Sequence, residues 1–455
     1  MYAYRGHLLH ISGAPRLAQA RENLVSHADG VLVVDGGGRI VYSGEFTGMP
    51  AGAEVVDCRP AFLLPGFVDT HIHFPQTYCT NAHGGGQLLD WLERCIFPAE
   101  SQLAEPDHAR MAARDFCRRR IDVGTTAAMV FGSAFPHAQD ALFEESLRLG
   151  LRTISGRGIQ TVGPDSASEL ITDEHSAIAL TEAEIARWHA GDTGDPSTAL
   201  LHVAVVPRFA LSVTAETLHA LGELYDSVRS RGVYFHSHIS ENLDEVAAVR
   251  SAYGVRSYLD TYDGRFGPGS TPAGKSLLGP RSLLAHAVHC TDDELARLAE
   301  SETSISHCPT SQLFLGSGTM PWRRTTASGV TVALGTDVSA GDEWLISRVA
   351  NDCYKVHISE PGEAGLSVPA ADLLFSATLA GAQALGLADR TGNLDVGKEA
   401  DFLVVDPQQQ GLLPEVLAAI EPQDVERLVF TLLTGMRESA ITDVYVRGRR
   451  LSSVG

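Results

Sequence analysis

A chain of 455 residues, 44% hydrophobic and 20% charged, has the composition of an ordinary globular protein with material for a large core. Its formal charge of -21 argues against a nucleic-acid polyanion or an anionic membrane as partner. Seven scattered cysteines, none spaced Cys-x-x-Cys, read as free thiols of a reducing compartment, and neither a leader-like pattern nor a bilayer-length apolar run is visible, so a cytoplasmic protein is expected.

Residues 1 to about 61 read as short strands, with a hairpin over 30–44 where two β-branched runs flank a glycine turn. Residues 400–406 and 443–448 are again short strands beside turn residues. β-Segments at both ends predict one small β-sandwich domain built from 1–64 and 394–455. Between them, 65–393 alternates strand and helix. Strands are predicted at 62–70, 125–130, 152–156, 201–206, 233–238, 283–286, 303–307 and 331–336. Helical patterns cover 106–121, 214–229, 242–253 and 292–299, with Asn242 as a cap and Glu245 three residues on. Eight alternations predict a TIM-like (β/α)8 barrel. The alternative, a doubly wound sheet, is weakened because no Gly-x-Gly-x-x-Gly follows an early strand. Loops or insertions are expected at 78–87, 160–198 (polar, with helical patches) and 262–279.

Barrel chemistry sits where strands end. The stretch Phe67-Val-Asp-Thr-His-Ile-His-Phe-Pro-Gln76 reads as a strand, and the spacing of His71 and His73 sends both imidazoles to one face, a half-site for a divalent metal. Downstream strand ends supply His236 and His238 with Glu241, then His286, His307-Cys308 and Asp337. A mononuclear site would take His71, His73, one histidine of the fifth strand and Asp337, leaving a position for water. The bland alternative is a sugar-binding or structural barrel with a polar rim.

Pro65-Gly-Phe-Val-Asp-Thr-His-Ile-His73, His238, His286 and Gly335-Thr-Asp337 resemble the amidohydrolase superfamily, metal-dependent hydrolases on an α/β barrel. Gly392 to Asp406 resembles its closing segment, which rejoins the terminal β-domain. Within the superfamily the chain is most similar to the guanine-deaminating members, on His71-Ile-His-Phe-Pro-Gln76, Leu88-Leu-Asp-Trp-Leu92 with Phe97-Pro-Ala-Glu100, Pro207-Arg-Phe209, Ser237-His-Ile-Ser-Glu-Asn242, His307-Cys-Pro-Thr-Ser311 and Gly335-Thr-Asp-Val338. The resemblance implies a metal on His71, His73, His238 and Asp337, with His286 beside the attacking water. It implies one divalent ion per subunit, zinc first and ferrous iron as the alternative. Glu241 would shuttle the proton, and Gln76, Arg208, Phe209 and its backbone would hold the purine, with His238 and Glu241 also facing it. The implied partner is guanine as a small-molecule substrate, in a homodimer. A sister enzyme acting on a pterin, an oxidised guanine or a triazine would share the metal and differ in the pocket, whereas a silent scaffold need not keep the whole set.

Other residues have plainer readings. His236 is expected either in the core or just behind the metal ligands without binding the metal itself, His307 on the rim, and His83 and His289 solvated in loops. Trp91 and Phe97 pack a helix or form a lid or subunit contact, and Cys79 and Cys308 are expected to be unreactive. The sequence departs from the family in the glycine-rich loop 81–86, the insertion 267–275 and Gln312.

Overall fold

The computed structural model describes residues 1–83, 87–359 and 367–452, so the predicted Gly84-Gly-Gly86 segment lies outside the described residues. Two compact units account for the chain. One comprises 1–69, 118–127 and 343–455, the other 70–117 and 128–342. Among the described residues no helix is long and apolar enough to cross a membrane.

The first unit contains the small β-structure expected from the two ends, as one seven-stranded mixed sheet. Its strands run, from edge to edge, Arg449–Arg450, Ile441–Val446, Phe402–Val405, Glu54–Pro65, Tyr2–Ile11, Leu24–Val34 and Ile40–Glu45. Glu54–Pro65 joins the ends, pairing parallel with Tyr2–Ile11 and antiparallel with Phe402–Val405. The predicted hairpin is present, its turn closed by the Asp35 N–H donating to the Arg39 carbonyl at 2.9 Å. Tyr4, Leu63, Phe402 and Tyr445 form the core of this sheet. The last two rings stack at 4.2 Å and Tyr4 closes on their edges. The same unit carries helices Ile346–Ile358, Ala370–Ala377 and Val425–Gly435, which pack on one another.

The parallel sheet follows chain order: Phe67–His73, Thr125–Phe131, Arg152–Gly156, Leu201–Pro207, Tyr234–Ile239, Ser282–His286, Ser304–His307 and Val332–Leu334. It is nearly closed. Past the eighth strand, the Asp337 N–H donates to the His71 carbonyl (2.8 Å) and the His73 N–H to the Val338 carbonyl (2.9 Å). With helices between its strands this is the expected TIM-like barrel. The strands are buried along nearly their whole length, which explains why they read as apolar runs and not as alternating patterns.

The predicted strand over 62–70 divides at Gly66. Residues up to Pro65 pair in the terminal sheet, and Phe67 opens the barrel strand. A side chain at Gly66 would put its Cβ 2.1 Å from Thr126 Oγ1, so only glycine leaves room for Thr126 there. The polar stretch 160–198, expected to carry helical patches, contains a full helix, Glu174–Trp188, capped by Asp173. The cap predicted at Asn242 is present: its side chain accepts from Asp244 N, and Glu245 reaches back to the Asn242 N–H. Insertion 267–275 is irregular; a bridge pairs Gly267 with Thr271, and further hydrogen bonds hold it, among them Ser270 Oγ donating to Asp260 Oδ2 (2.6 Å) and the Ala273 N–H to the Gly264 carbonyl (2.8 Å).

Candidate active site

The first barrel strand is extended through His71 and His73, so both side chains project to one side, and a 3-10 turn, Phe74–Gln76, carries Gln76 into the same cleft. That cleft is lined by His73, Gln76, Trp91, Arg208, Phe209, His238, Glu241, His286 and Asp337. Four nitrogen and oxygen atoms converge in it. His71 Nε2 and His73 Nε2 each lie 3.1 Å from Asp337 Oδ1 and 3.1 Å from one another, and His238 Nε2 is 3.2 Å from His73 Nε2. Donors about 2.0–2.1 Å from a shared tetrahedral cation stand a little over 3 Å apart, so these spacings fit a common ligand sphere. His71, His238, His286 and Asp337 form a second metal-competent combination. His286 stands slightly outside, its Nε2 3.3 Å from Glu241 Oε2 and 3.8 Å from Asp337 Oδ2, and neither of its buried ring nitrogens makes a well-formed hydrogen bond.

The backbone is bent to achieve this. Ser240, His286 and Asp337 all adopt left-handed φ (+47°, +78° and +53°), which costs a non-glycine residue on the order of 1–3 kcal/mol and is concentrated at functional sites. Gly335 is required by proximity: a Cβ there would lie 2.4 Å from Ser306 Oγ and 2.9 Å from His71 Cβ. Any side chain would displace the first strand.

Charge states suit a cation. Burial lowers His71 and His286 to about 3 and pushes His238 well down, so the imidazoles are neutral and offer lone pairs. For Asp337 burial acts upward, but His71 and His286 outweigh it and hold the carboxyl well below its ordinary range. Glu241 moves the other way. Burial, then the negative charge of Asp337, raises it well above 4.5, so it keeps a proton to give. Glu245 anchors it, accepting the Glu241 N–H (3.0 Å) and the Tyr258 hydroxyl (2.7 Å). His238 Nδ1 meets the Arg208 carbonyl at 2.5 Å; a carbonyl only accepts, so Nδ1 carries the hydrogen and Nε2 is left as the lone pair facing the cluster.

The far wall holds a residue to which sequence reasoning gave no role. Glu100 is buried and grips both predicted purine-binding side chains: Gln76 Nε2 donates to Glu100 Oε1 (2.9 Å) and Arg208 Nη1 to Glu100 Oε2 (2.5 Å). Gln76 Oε1 in turn accepts the Ser339 N–H at 3.1 Å. A primary amide has both a donor and an acceptor to offer; the structure uses the Gln76 oxygen internally and leaves an N–H. Both readers on this wall are therefore donors. Phe209 lines the same cleft, its N–H bonded to Ser212 Oγ at 3.0 Å. The only sequence signal for Glu100 was its place in Phe97-Pro-Ala-Glu100.

The remaining candidates divide. Trp91 and Phe97 belong to an apolar cluster with Leu88, Leu92 and Phe209 beside the cleft, and the Arg208 guanidinium lies 5.2 Å over the Phe97 ring. His236 and His307 are buried, and Gln312 Nε2 lies 3.5 Å from His307 Nδ1. His83 is exposed, as expected, but His289 is half-buried with Nε2 on the Ser317 carbonyl (2.8 Å), because the turn after the sixth strand folds it inward. Burial raises the Cys79 thiol to about 11, consistent with an inert side chain.

Residues 62–451 match the model of the Amidohydrolase family. A probable guanine deaminase of Deinococcus radiodurans is 39% identical over 446 residues, covering 96% of this chain and 95% of that protein. The guanine deaminase of Escherichia coli is 33% identical, covering 92% and 90%. The crystal structure of guanine deaminase from Bradyrhizobium japonicum superposes with a TM-score of 0.88 at 28% identity, covering 99% of each chain.

Proposed function

This chain belongs to the amidohydrolase family, and we propose that within it the chain hydrolyses guanine to xanthine and ammonia. The observation that carries the reading is the donor wall. Guanine presents O6 and N7 as adjacent acceptors, whereas adenine presents an amino donor in place of O6. Gln76 Nε2 and Arg208, both fixed by Glu100, match the first and leave adenine's amine facing donors. A buried site of this kind rejects the mismatched base by roughly 10⁴-fold.

His71, His73, His238 and Asp337 would hold one divalent cation, a role supported by their mutual spacing. When bound, such a cation lowers the pKa of a water from 15.7 to about 7. The protein's own residues then move protons. Asp337 receives one proton from the attacking water as its oxygen bonds to the ring carbon bearing the amine. Glu241 gives its proton to the adjacent ring nitrogen, which gains the electron pair. The amine leaves as ammonia with the proton held by Asp337, and the hydroxyl proton returns to Glu241 as the carbonyl forms. His286, beside both carboxylates, orients the oxygen or stabilises the charge that develops.

The proposal extends to zinc before ferrous iron, a cytoplasmic homodimer in purine breakdown, and domains divided at 64/65 and 393/394. Elemental analysis, light scattering and limited proteolysis address these separately. The first experiment follows guanine by ultraviolet absorbance with ammonia measured in parallel. Xanthine with equimolar ammonia is the expected outcome; metal-loaded protein that leaves guanine intact would refute the substrate.

A further inference from the structure

We infer that His236 is a positioning residue that selects the tautomer of His71, and through it makes His71 Nε2 a metal ligand. This rests on the metal reading above and adds a residue to it.

His236 sits two residues before His238 on the fifth barrel strand, on the same face, and is fully buried. Its Nδ1 lies 2.9 Å from the Leu283 carbonyl and its Nε2 lies 2.7 Å from His71 Nδ1. The Leu283 carbonyl can only accept, so His236 Nδ1 must carry a hydrogen. Both ring nitrogens are then spoken for, by a carbonyl and by another imidazole. With neither contact able to neutralise a cationic ring in the barrel interior, His236 is neutral. A neutral ring protonated on Nδ1 has its lone pair on Nε2. His71 Nδ1 must therefore donate, and the hydrogen of a neutral His71 is placed on Nδ1. The remaining lone pair is on Nε2, the atom 3.1 Å from both His73 Nε2 and Asp337 Oδ1.

The direction of this chain is set by one backbone carbonyl on the sixth strand and transmitted across two buried rings to the cation site. His238 reaches the same state in one step, from the Arg208 carbonyl. Partners of this kind hold ligand imidazoles in tautomer and orientation, and their removal typically costs 10- to 100-fold in metal affinity.

The inference separates a hydrogen-bonding role from mere filling of the barrel. His236→Gln can still accept from His71 and donate to the Leu283 carbonyl; His236→Leu fills the space and does neither. Zinc affinity would be measured on metal-stripped full-length protein by competition with a chromophoric chelator. The expectation is a loss of roughly 10- to 100-fold in His236→Leu and near wild-type affinity in His236→Gln. Equal zinc affinity in wild type and His236→Leu would overturn it. In parallel, ¹⁵N-histidine NMR of the metal-free wild type should show His71 protonated on Nδ1, and an Nε2-protonated His71 would overturn the inference even if His236→Leu fails to fold. A wild type that binds no zinc would refute the metal reading instead, and the NMR result would still decide the tautomer.

Discussion

Glu241 and Asp337 are two buried carboxyl groups in one cleft, pushed apart in proton affinity by their neighbours. Asp337 faces imidazoles and stays ionised, while Glu241 faces Asp337 and keeps its proton. That split assigns donor and acceptor before any substrate is placed. Glu241→Gln should lower kcat by roughly 10²- to 10⁴-fold while bound metal, measured by elemental analysis, is unchanged. Activity within a few-fold of wild type would remove Glu241 from the proton path. Glu100 acts at one remove. Glu100→Gln weakens charge-assisted bonds worth about 1.5–3 kcal/mol, so kcat/KM for guanine should fall about 10- to 100-fold, mainly through KM. A change in kcat alone would place Glu100 elsewhere in the mechanism.

The elements deliver these residues through their ends. The fifth strand stops at Ile239, Ser240 turns through a left-handed conformation, and helix Leu243–Tyr253 starts under a reciprocal cap. Glu241 lies in that three-residue gap, its N–H tied to Glu245. The cap thus serves the helix and the proton donor together. Asn242→Ala should cost about 1 kcal/mol, read as a lower midpoint in thermal unfolding, with a drop in kcat because Glu241 loses its fixed backbone. Stability lost with kcat intact would mean the cap serves the helix alone.

At the scale of the whole molecule, stability should depend on pH and on metal. Burial raises Glu184 to about 8 from an ordinary 4.5. The folded state then binds the proton to higher pH than the unfolded chain, so its contribution is complete below about 4.5 and is lost as pH rises towards 8. Glu184→Gln, which can still accept the Arg157 N–H, should gain in melting temperature relative to wild type across that window. A constant difference between the two would contradict a neutral Glu184. Removing the cation should abolish turnover and lower the melting temperature, by an amount equivalent to about 4 kcal/mol if metal had been present at a thousand times its Kd. Zinc should restore both. A melting temperature indifferent to chelator would argue that no ion is held.

Some of this was legible in residue order alone. Strand–helix alternation predicts the barrel because each period lies within a short window. His-x-His on a strand, the Asn242 cap and a histidine or aspartate at several strand ends are likewise local signals, and they marked the residues that converge in the cleft. Glu100 was invisible because its meaning depends on Gln76 and Arg208, 24 and 108 positions away. His236 could be read as core or as a neighbour of the ligands, and the sequence could not choose between them because its partner His71 lies 165 positions away. Sequence by itself determined the strand–helix alternation of the barrel, the donor types and the reaction class. Only the tertiary structure decided which nitrogen of each imidazole faces the site and which edge of Gln76 is free, because hydrogen-bond direction is set by partners that folding alone brings into contact.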